Sequence, residues 1–216
     1  MPRSGPDVLR RAVLAFSIRS RRRKAAAIGR FLADHDVRDC IFVGCSPGTN
    51  LNEGIVERAV AARARVFAAF DVLHAEPTWP FLRADATRMP FADGAADMLL
   101  ANAVIEHVGD EADQRRFVAE HVRVGRTFVI TTPNRWFPME SHTATLFRHW
   151  SPRWRASRSE FTRLLSLREF RDLLPPGTRV VGRPWSATFT AYYAGRPPLA
   201  DERGPGPAEQ ADVTSA

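Results

Sequence analysis

The chain is poor in several features that would announce a function. Its 216 residues include two cysteines, Cys40 and Cys45. They form no C-x-x-C pair and no second cluster accompanies them, which argues against a disulfide framework or a structural zinc site. Both flank a predicted strand end, where a small buried thiol is the simple reading. No apolar run approaches the roughly 20 residues that span a bilayer. Arg3, Arg10 and Arg11 are followed by no continuous apolar stretch and no small-residue cleavage site, so a cytoplasmic location is the expectation. Internal repeats are absent. Lysine is nearly missing: Lys24 is the single lysine among 31 basic residues.

Hydrophobic residues make up 44% of the chain, which excludes a disordered protein by composition and suits one α/β domain with a sizeable core. The net charge of +7 and isoelectric point near 10.7 invite a nucleic-acid partner. Because arginine carries nearly all of that charge, a GC-rich genome is the simpler explanation. The dense run Arg19 to Lys24 reads as a solvated helix face; contact with phosphates or an anionic membrane surface is the sharper, less favoured alternative.

Apolar spacing predicts a basic amphipathic helix over residues 7–33 with a break near Ser17. Val8, Leu9, Ala12, Val13 and Phe16 share one face, and Ala27, Ile28, Phe31 and Leu32 repeat the spacing. Such a face most simply docks on a core, with membrane binding the alternative. Strands are expected at Asp39 to Cys45, Val66 to Phe70, Phe81 to Ala84, Met98 to Ala103 and Arg126 to Thr131. Helices are expected at Asn50 to Ala62 and Glu111 to Val124. That alternation implies a parallel sheet with helical crossovers, whose ligands bind at the carboxyl ends of the strands. Beyond residue 133 lies a lid-like segment (134–165), then a helix from Ser166 to Leu174. Arg179 to Gly182 and Thr188 to Tyr193 resemble a closing antiparallel pair. Residues 196–216, rich in Pro, Gly, Glu and Ala, are expected to be a disordered tail. The domain proper is 34–195, preceded by the helical segment 1–33.

The first strand runs into Gly44-Cys45-Ser46-Pro47-Gly48-Thr49 and then a helix. Glycines let backbone approach a ligand, and a helix start offers free amides. Asp71 follows the second strand about 20 residues later, the spacing at which a Rossmann-like domain sets an acid on ribose hydroxyls. These two signals fit a nucleotide-like ligand but do not separate a nicotinamide cofactor from S-adenosylmethionine.

Residues 85–108 carry a longer pattern: Asp85-Ala86, Met89-Pro90-Phe91, Ala96-Asp97, the strand, then Glu106-His107. With Glu120-His121-Val122-Arg123-Val124-Gly125-Arg126 and Thr132-Pro133-Asn134-Arg135-Trp136, it resembles the core of class I S-adenosylmethionine-dependent methyltransferases of type 11 (Methyltransf_11), in a small bacterial subgroup. The likeness covers about residues 25–195. It implies an α/β, Rossmann-like fold with a mostly parallel sheet, an antiparallel C-terminal strand and helices on both faces. It implies S-adenosyl-L-methionine as cofactor. By position, Gly44, Cys45, Ser46 and Gly48 would line its methionine and ribose, Asp71 the ribose hydroxyls, Asp85 and Ala86 the adenine, and Asn102 and Ala103 the region of the sulfonium.

His107 would face the acceptor as candidate base, an imidazole titrating near neutrality, or as a positioned hydrogen-bonding residue. Asn134, Arg135, Glu140 and His142 would border the acceptor pocket. Glu140 and His142 alone do not argue for a metal, and none is expected. Trp136, Phe137, Phe147, Trp150 and Trp154, interleaved with Arg148, Arg153 and Arg155, suit a lid better than a base-stacking surface.

Three departures from the family pattern stand out. Phe42 replaces an acid two places before the first glycine, Ser46 replaces the middle glycine, and the stretch from Asp71 to Asp85 is short for a full crossover helix. The acceptor is a small molecule or a lipid- or sugar-linked metabolite in the leading reading. Phe42 and Ser46 motivate an alternative, a non-catalytic Rossmann-like module bound to RNA or membrane. A nicotinamide oxidoreductase fails because the loop lacks G-x-G-x-x-G and residues 85–108 go unexplained.

Overall fold

In the computed structural model the described residues are 5–44, 54–72, 78–138, 151 and 163–195, with side chains described from residue 14 onward. Seven strands form one sheet in the order β3-β2-β1-β4-β5-β7-β6. They are β1 (Asp39–Val43), β2 (Arg65–Asp71), β3 (Phe81–Arg83), β4 (Ala96–Asn102), β5 (Gly125–Pro133), β6 (Arg179–Val181) and β7 (Thr188–Ala194). The first five run parallel, and β7 pairs antiparallel with both β5 and β6. This is the mostly parallel, Rossmann-like sheet expected, with an antiparallel C-terminal pair.

Among the described residues the helices are α1 (Gly5–Asp34), α2 (Ile55–Ala61), α3 (Glu111–Val124) and α4 (Leu167–Leu173). Side chains alternate across each strand, and two cores follow from that. Cys40, Phe42, Met98, Leu100 and Val129 face Ile28, Phe31 and Leu32 of α1 and Val56 and Val60 of α2. Ile41, Val43, Leu99, Phe128 and Ile130 face Phe117 of α3 and Phe170 of α4. Asp110 and Ser166 begin α3 and α4 with reciprocal capping boxes, each satisfying two backbone donors that a helix start otherwise leaves open.

Several expectations need correction. α1 is continuous through Ser17, with no break there. Phe16 does not dock: it is 52% exposed, while Ile28 and Leu32 are buried. The helix buries its C-terminal half against the sheet. β5 runs on to Pro133 because β7 pairs along its whole outer edge, from Thr127 to Pro133. The expected start of α2 at Asn50, the tail 196–216 and most of the lid-like segment lie outside the described residues. Cys40 is buried among apolar groups, which pushes its thiol up to about 12 and makes it a poor nucleophile.

Candidate active site at the strand ends

Four adjacent strands, β3, β2, β1 and β4, end side by side, and each carries an expected site residue at or just beyond its carboxyl end. Val43 lies in register with Phe70 and Ala101, and Asp71 with Arg83. Gly44, Asp71, Asp85 and Asn102 therefore stand in one row. The row includes the β1–β4 boundary, where strand order reverses and open α/β sheets bind ligands.

Gly44 must be glycine. Its φ is +66°, and a Cβ would come within 2.5 Å of Val104 Cγ2. Asp71 is half-buried and closes β2, its carbonyl accepting from the Ala84 N–H at 3.0 Å. Asp85 is exposed; its Oδ1 accepts from the Thr87 N–H and hydroxyl, each at 2.8 Å. That Asx-turn bends the chain so that Ala86 is buried beneath it.

The loop bearing Asp85 is held by α3. Glu120 Oε2 accepts from the Met89 N–H at 2.6 Å, and Arg123 donates to the carbonyls of Phe91 at 2.7 Å and Met89 at 3.0 Å. Arg123 also donates to Glu120 and Asp93. Its guanidinium and the Met89 N–H hold the Glu120 carboxyl below its usual range, against the effect of burial. The Glu120-His121-Val122-Arg123 pattern thus serves as a clamp on the 85–95 loop.

At the end of β4 the structure adds residues the sequence reading missed. Asn102 Nδ2 donates to Glu57 Oε1 of α2 at 2.8 Å. Asn102 Oδ1 accepts from the Thr131 hydroxyl at 2.8 Å and from Lys24 Nζ at 3.3 Å, and Lys24 also reaches the Thr131 hydroxyl at 3.3 Å. Lys24 thus departs from the solvated face that the run Arg19 to Lys24 suggests. Part of its side chain stays accessible, but protein crowds its ammonium. Desolvation brings it down to about 8, although Glu57 and Glu106 favour its charged form; Arg21 adds to the lowering. The available signal was its singularity: an arginine-rich chain keeps one compact ammonium, beside three alanines.

Ala103 follows at φ +61°, a left-handed conformation unusual for alanine. Its N–H donates to both the carbonyl and the hydroxyl of Thr131, at 3.1 Å each. A single 3-10 turn, Ile105–His107, comes next. It buries Glu106, whose Oε2 accepts from the Thr132 hydroxyl at 3.2 Å, and leaves His107 exposed.

Asn134 and Arg135 are tied into the fold. Asn134 is buried and donates to the carbonyls of Pro184 at 2.7 Å and Ser186 at 2.8 Å. Arg135 donates twice to the Leu164 carbonyl and pairs with Glu169 at 2.9 Å. Cys45, Ser46, Gly48, Glu140 and His142 lie outside the described residues. Among the described residues, no group of three His, Cys, Asp or Glu assembles to hold a metal, and no helix is long and apolar enough to cross a membrane. A surface hollow of about 510 Å³ between α1 and the β6–β7 pair, lined by Arg30, Phe31, His35 and Tyr192, sits away from this row.

Phe42 does not point into the row. It is buried between the sheet and α1 and α2, edge-to-face with Trp79 at 4.9 Å. The acceptors present, Asp71 and Asp85, suit ribose and adenine donors. Glu57 Oε2 is buried with no hydrogen-bond partner among the described residues. The donor and acceptor set fits S-adenosylmethionine.

Residues 44–127 match the family Methyltransf_11, described as a methyltransferase domain. No curated protein matches the chain in sequence. Its fold is shared with several solved structures. A Pyrococcus horikoshii protein is 13% identical with a TM-score of 0.55, over 82% of this chain and 91% of its own. An S-adenosylmethionine-dependent methyltransferase from Clostridium acetobutylicum is 9% identical with a TM-score of 0.54, over 80% and 91%. Another, from Archaeoglobus fulgidus, is 11% identical with a TM-score of 0.53, over 80% and 94%. The domain match over residues 44–127 and a fold shared with S-adenosylmethionine-dependent methyltransferases make the chain similar to class I methyltransferases of the Methyltransf_11 type.

Proposed function

We propose that the chain transfers a methyl group from S-adenosylmethionine to a small molecule or a lipid- or sugar-linked metabolite. The observation that carries the reading is the row of Gly44, Asp71, Asp85 and Asn102 across four neighbouring strand ends. In this reading Asp71 accepts from the ribose hydroxyls, Asp85 and the Ala86 amide take the adenine edge, and Asn102 and Ala103 flank the reacting end. Gly44, with Cys45, Ser46 and Gly48, brings backbone close to the ribose and methionine portions.

When bound, the cofactor supplies a methyl group made electrophilic by its sulfonium. The protein's share of the work is to align an acceptor with it and to exclude water. His107, exposed beside the β4 end, takes a proton from an oxygen or nitrogen acceptor. Asn134 and Arg135 shape the acceptor side by holding residues 163–169 and the β6–β7 connection against the end of β5. In this reading the enzyme works in the cytoplasm.

The test is calorimetric titration with S-adenosylmethionine and S-adenosylhomocysteine, followed by product formation from labelled cofactor with candidate metabolites. Binding of both, with label transferred to one metabolite class, is the expected result. Failure to bind either nucleoside would overturn the proposal.

A further inference from the structure

The cluster at the end of β4 holds two opposite charges that do not meet. Lys24 Nζ and the Glu57 carboxylate bond to opposite ends of one amide, that of Asn102, at 3.3 and 2.8 Å. Among the described residues Lys24 makes no ion pair, and Glu57 Oε2 is buried with no hydrogen-bond partner. Desolvated charges held apart in this way are costly. Two charges of opposite sign flanking a neutral spacer are complementary to a ligand that carries both signs on neighbouring atoms.

Position says which ligand. Asn102 ends β4 beside Gly44 at the point where strand order reverses, away from Asp85 beyond β3 at the other end of the row. If the nucleoside lies toward Asp71 and Asp85, the amino-acid end of the cofactor falls at Asn102. That end is a zwitterion, with one ammonium and one carboxylate on the same carbon. β1 offers no acid for the ammonium near its carboxyl end, where Ile41, Phe42 and Val43 precede Gly44. Phe42 faces the same side of the sheet as α1 and α2, the side from which Lys24 and Glu57 approach.

We propose, resting on the cofactor assignment above, that Lys24 and Glu57 form the receptor for the cofactor's zwitterionic methionyl end. Lys24 takes the carboxylate, Glu57 Oε2 takes the α-ammonium, and Asn102, fixed by Thr131, sets their spacing. The acid therefore comes from α2, not from the sheet. The lowered proton affinity of Lys24 agrees with an ammonium buried without a neutralising partner, and a bound carboxylate would restore it.

The experiment uses the full chain and compares S-adenosylhomocysteine with 5′-methylthioadenosine, which keeps the adenosine thioether but lacks the amino-acid end. Lys24→Met and Glu57→Gln are titrated with both ligands, with thermal unfolding as a control. Gln at 57 keeps an acceptor for Asn102 and replaces the charged Oε2 acceptor by an amide N–H donor. Wild type is expected to prefer S-adenosylhomocysteine. Each variant should lose roughly 10- to 100-fold in affinity for it, the scale of one charge-assisted hydrogen bond, and hold methylthioadenosine within about twofold. Decarboxylated S-adenosylmethionine, which keeps the amine, should be insensitive to Lys24→Met and sensitive to Glu57→Gln.

Equal weakening of both nucleosides in either variant would reduce the pair to a structural tether and overturn the inference. So would an unchanged preference for S-adenosylhomocysteine in both variants. Wild-type protein that binds both nucleosides equally well defeats this inference alone. Wild-type protein that binds neither defeats the cofactor assignment beneath it.

Discussion

The two ends of β4 are built on opposite plans. At its amino end Asp97 is buried and saturated: its Oδ2 accepts from the Arg38 N–H at 2.9 Å and the Asp39 N–H at 3.2 Å. Its Oδ1 accepts from Arg126, 6% exposed, at 2.9 Å, and the Thr127 hydroxyl donates to its carbonyl at 2.9 Å. Asp39 Oδ1 in turn accepts from the Asp97 N–H. Burial pushes the Asp97 carboxyl up, but these N–H bonds and the guanidinium outweigh it and hold the group below its usual range. At the carboxyl end, five residues further along the strand, Asn102 sits among charges whose partners are incomplete, next to a left-handed alanine. One end fastens β1, β4 and β5 together. The other keeps polar capacity and backbone strain in reserve, as sites do.

The largest expected effect lies at the saturated end. Asp97→Ala leaves the Arg126 guanidinium buried without its carboxylate and two backbone N–H groups without an acceptor. Stability should fall by about 3–5 kcal/mol, the usual cost of breaking a buried pair by removing one partner. Asp97→Asn should lose less, since an amide oxygen still accepts. Denaturant unfolding measures both, and a loss below about 1 kcal/mol for the alanine variant would remove the contrast between the ends.

Second in size is an acid sensitivity that also belongs to this half. His121 of α3 is fully buried beside Phe117, its Nδ1 2.7 Å from the Phe117 carbonyl and its Nε2 unpartnered among the described residues. Burial lowers its pKa from 6.5 to about 4. The unfolded chain therefore takes up a proton before the folded one does. The resulting stability is present above about pH 6.5 and lost as pH falls toward 4, and a gap of that size corresponds to roughly 3 kcal/mol. His121→Gln should flatten the stability profile across that window while leaving the steeper loss below pH 4, where carboxylates such as Asp97 protonate. An unchanged slope between pH 6.5 and 4 would assign the acid sensitivity elsewhere.

The same contrast explains what could be read from the residues beforehand. Apolar runs such as Cys40 to Val43 and Met98 to Ala101 announce buried strands because both faces of a parallel sheet are covered. Acids and glycines at fixed distances along the chain could be placed at strand ends for the same reason. Lys24 and Glu57 could not. Each reaches the site from a helix packed on the sheet, and only the tertiary arrangement brings residues separated by 78 and 45 positions to the Asn102 amide. Charge in the run Arg19 to Lys24 looks alike at every position in the sequence, and packing alone separates Lys24 from its neighbours. Asn134 and Arg135 are the reverse case: their motif is readable, but the partners they bond, the carbonyls of Pro184, Ser186 and Leu164 and the Glu169 carboxylate, lie across the fold, which no spacing reveals.

A middle-sized effect is expected at Gly44. Alanine there meets Val104 and must hold a left-handed backbone, together worth roughly 2–3 kcal/mol. Adding Val104→Ala should recover the steric share and leave the backbone share, a split that unfolding midpoints of the single and double variants can measure. Full recovery would mean that contact alone demands the glycine.

The smallest effect is the one that best separates the two plans. Ala103 holds φ +61°, where glycine would be at ease, so Ala103→Gly should stabilise the fold by roughly 0.5–1 kcal/mol. In a purely structural segment that substitution would be a gain with no penalty. Here Ala103 fixes the backbone just beyond Asn102, and its N–H is locked to Thr131, the residue that also holds the Asn102 amide. Freeing that backbone should loosen the spacing of the polar cluster, so affinity for S-adenosylhomocysteine should fall severalfold as the unfolding midpoint rises. If stability and affinity rise together, Ala103 is only a local imperfection, and the carboxyl end of β4 keeps no strain for its ligand.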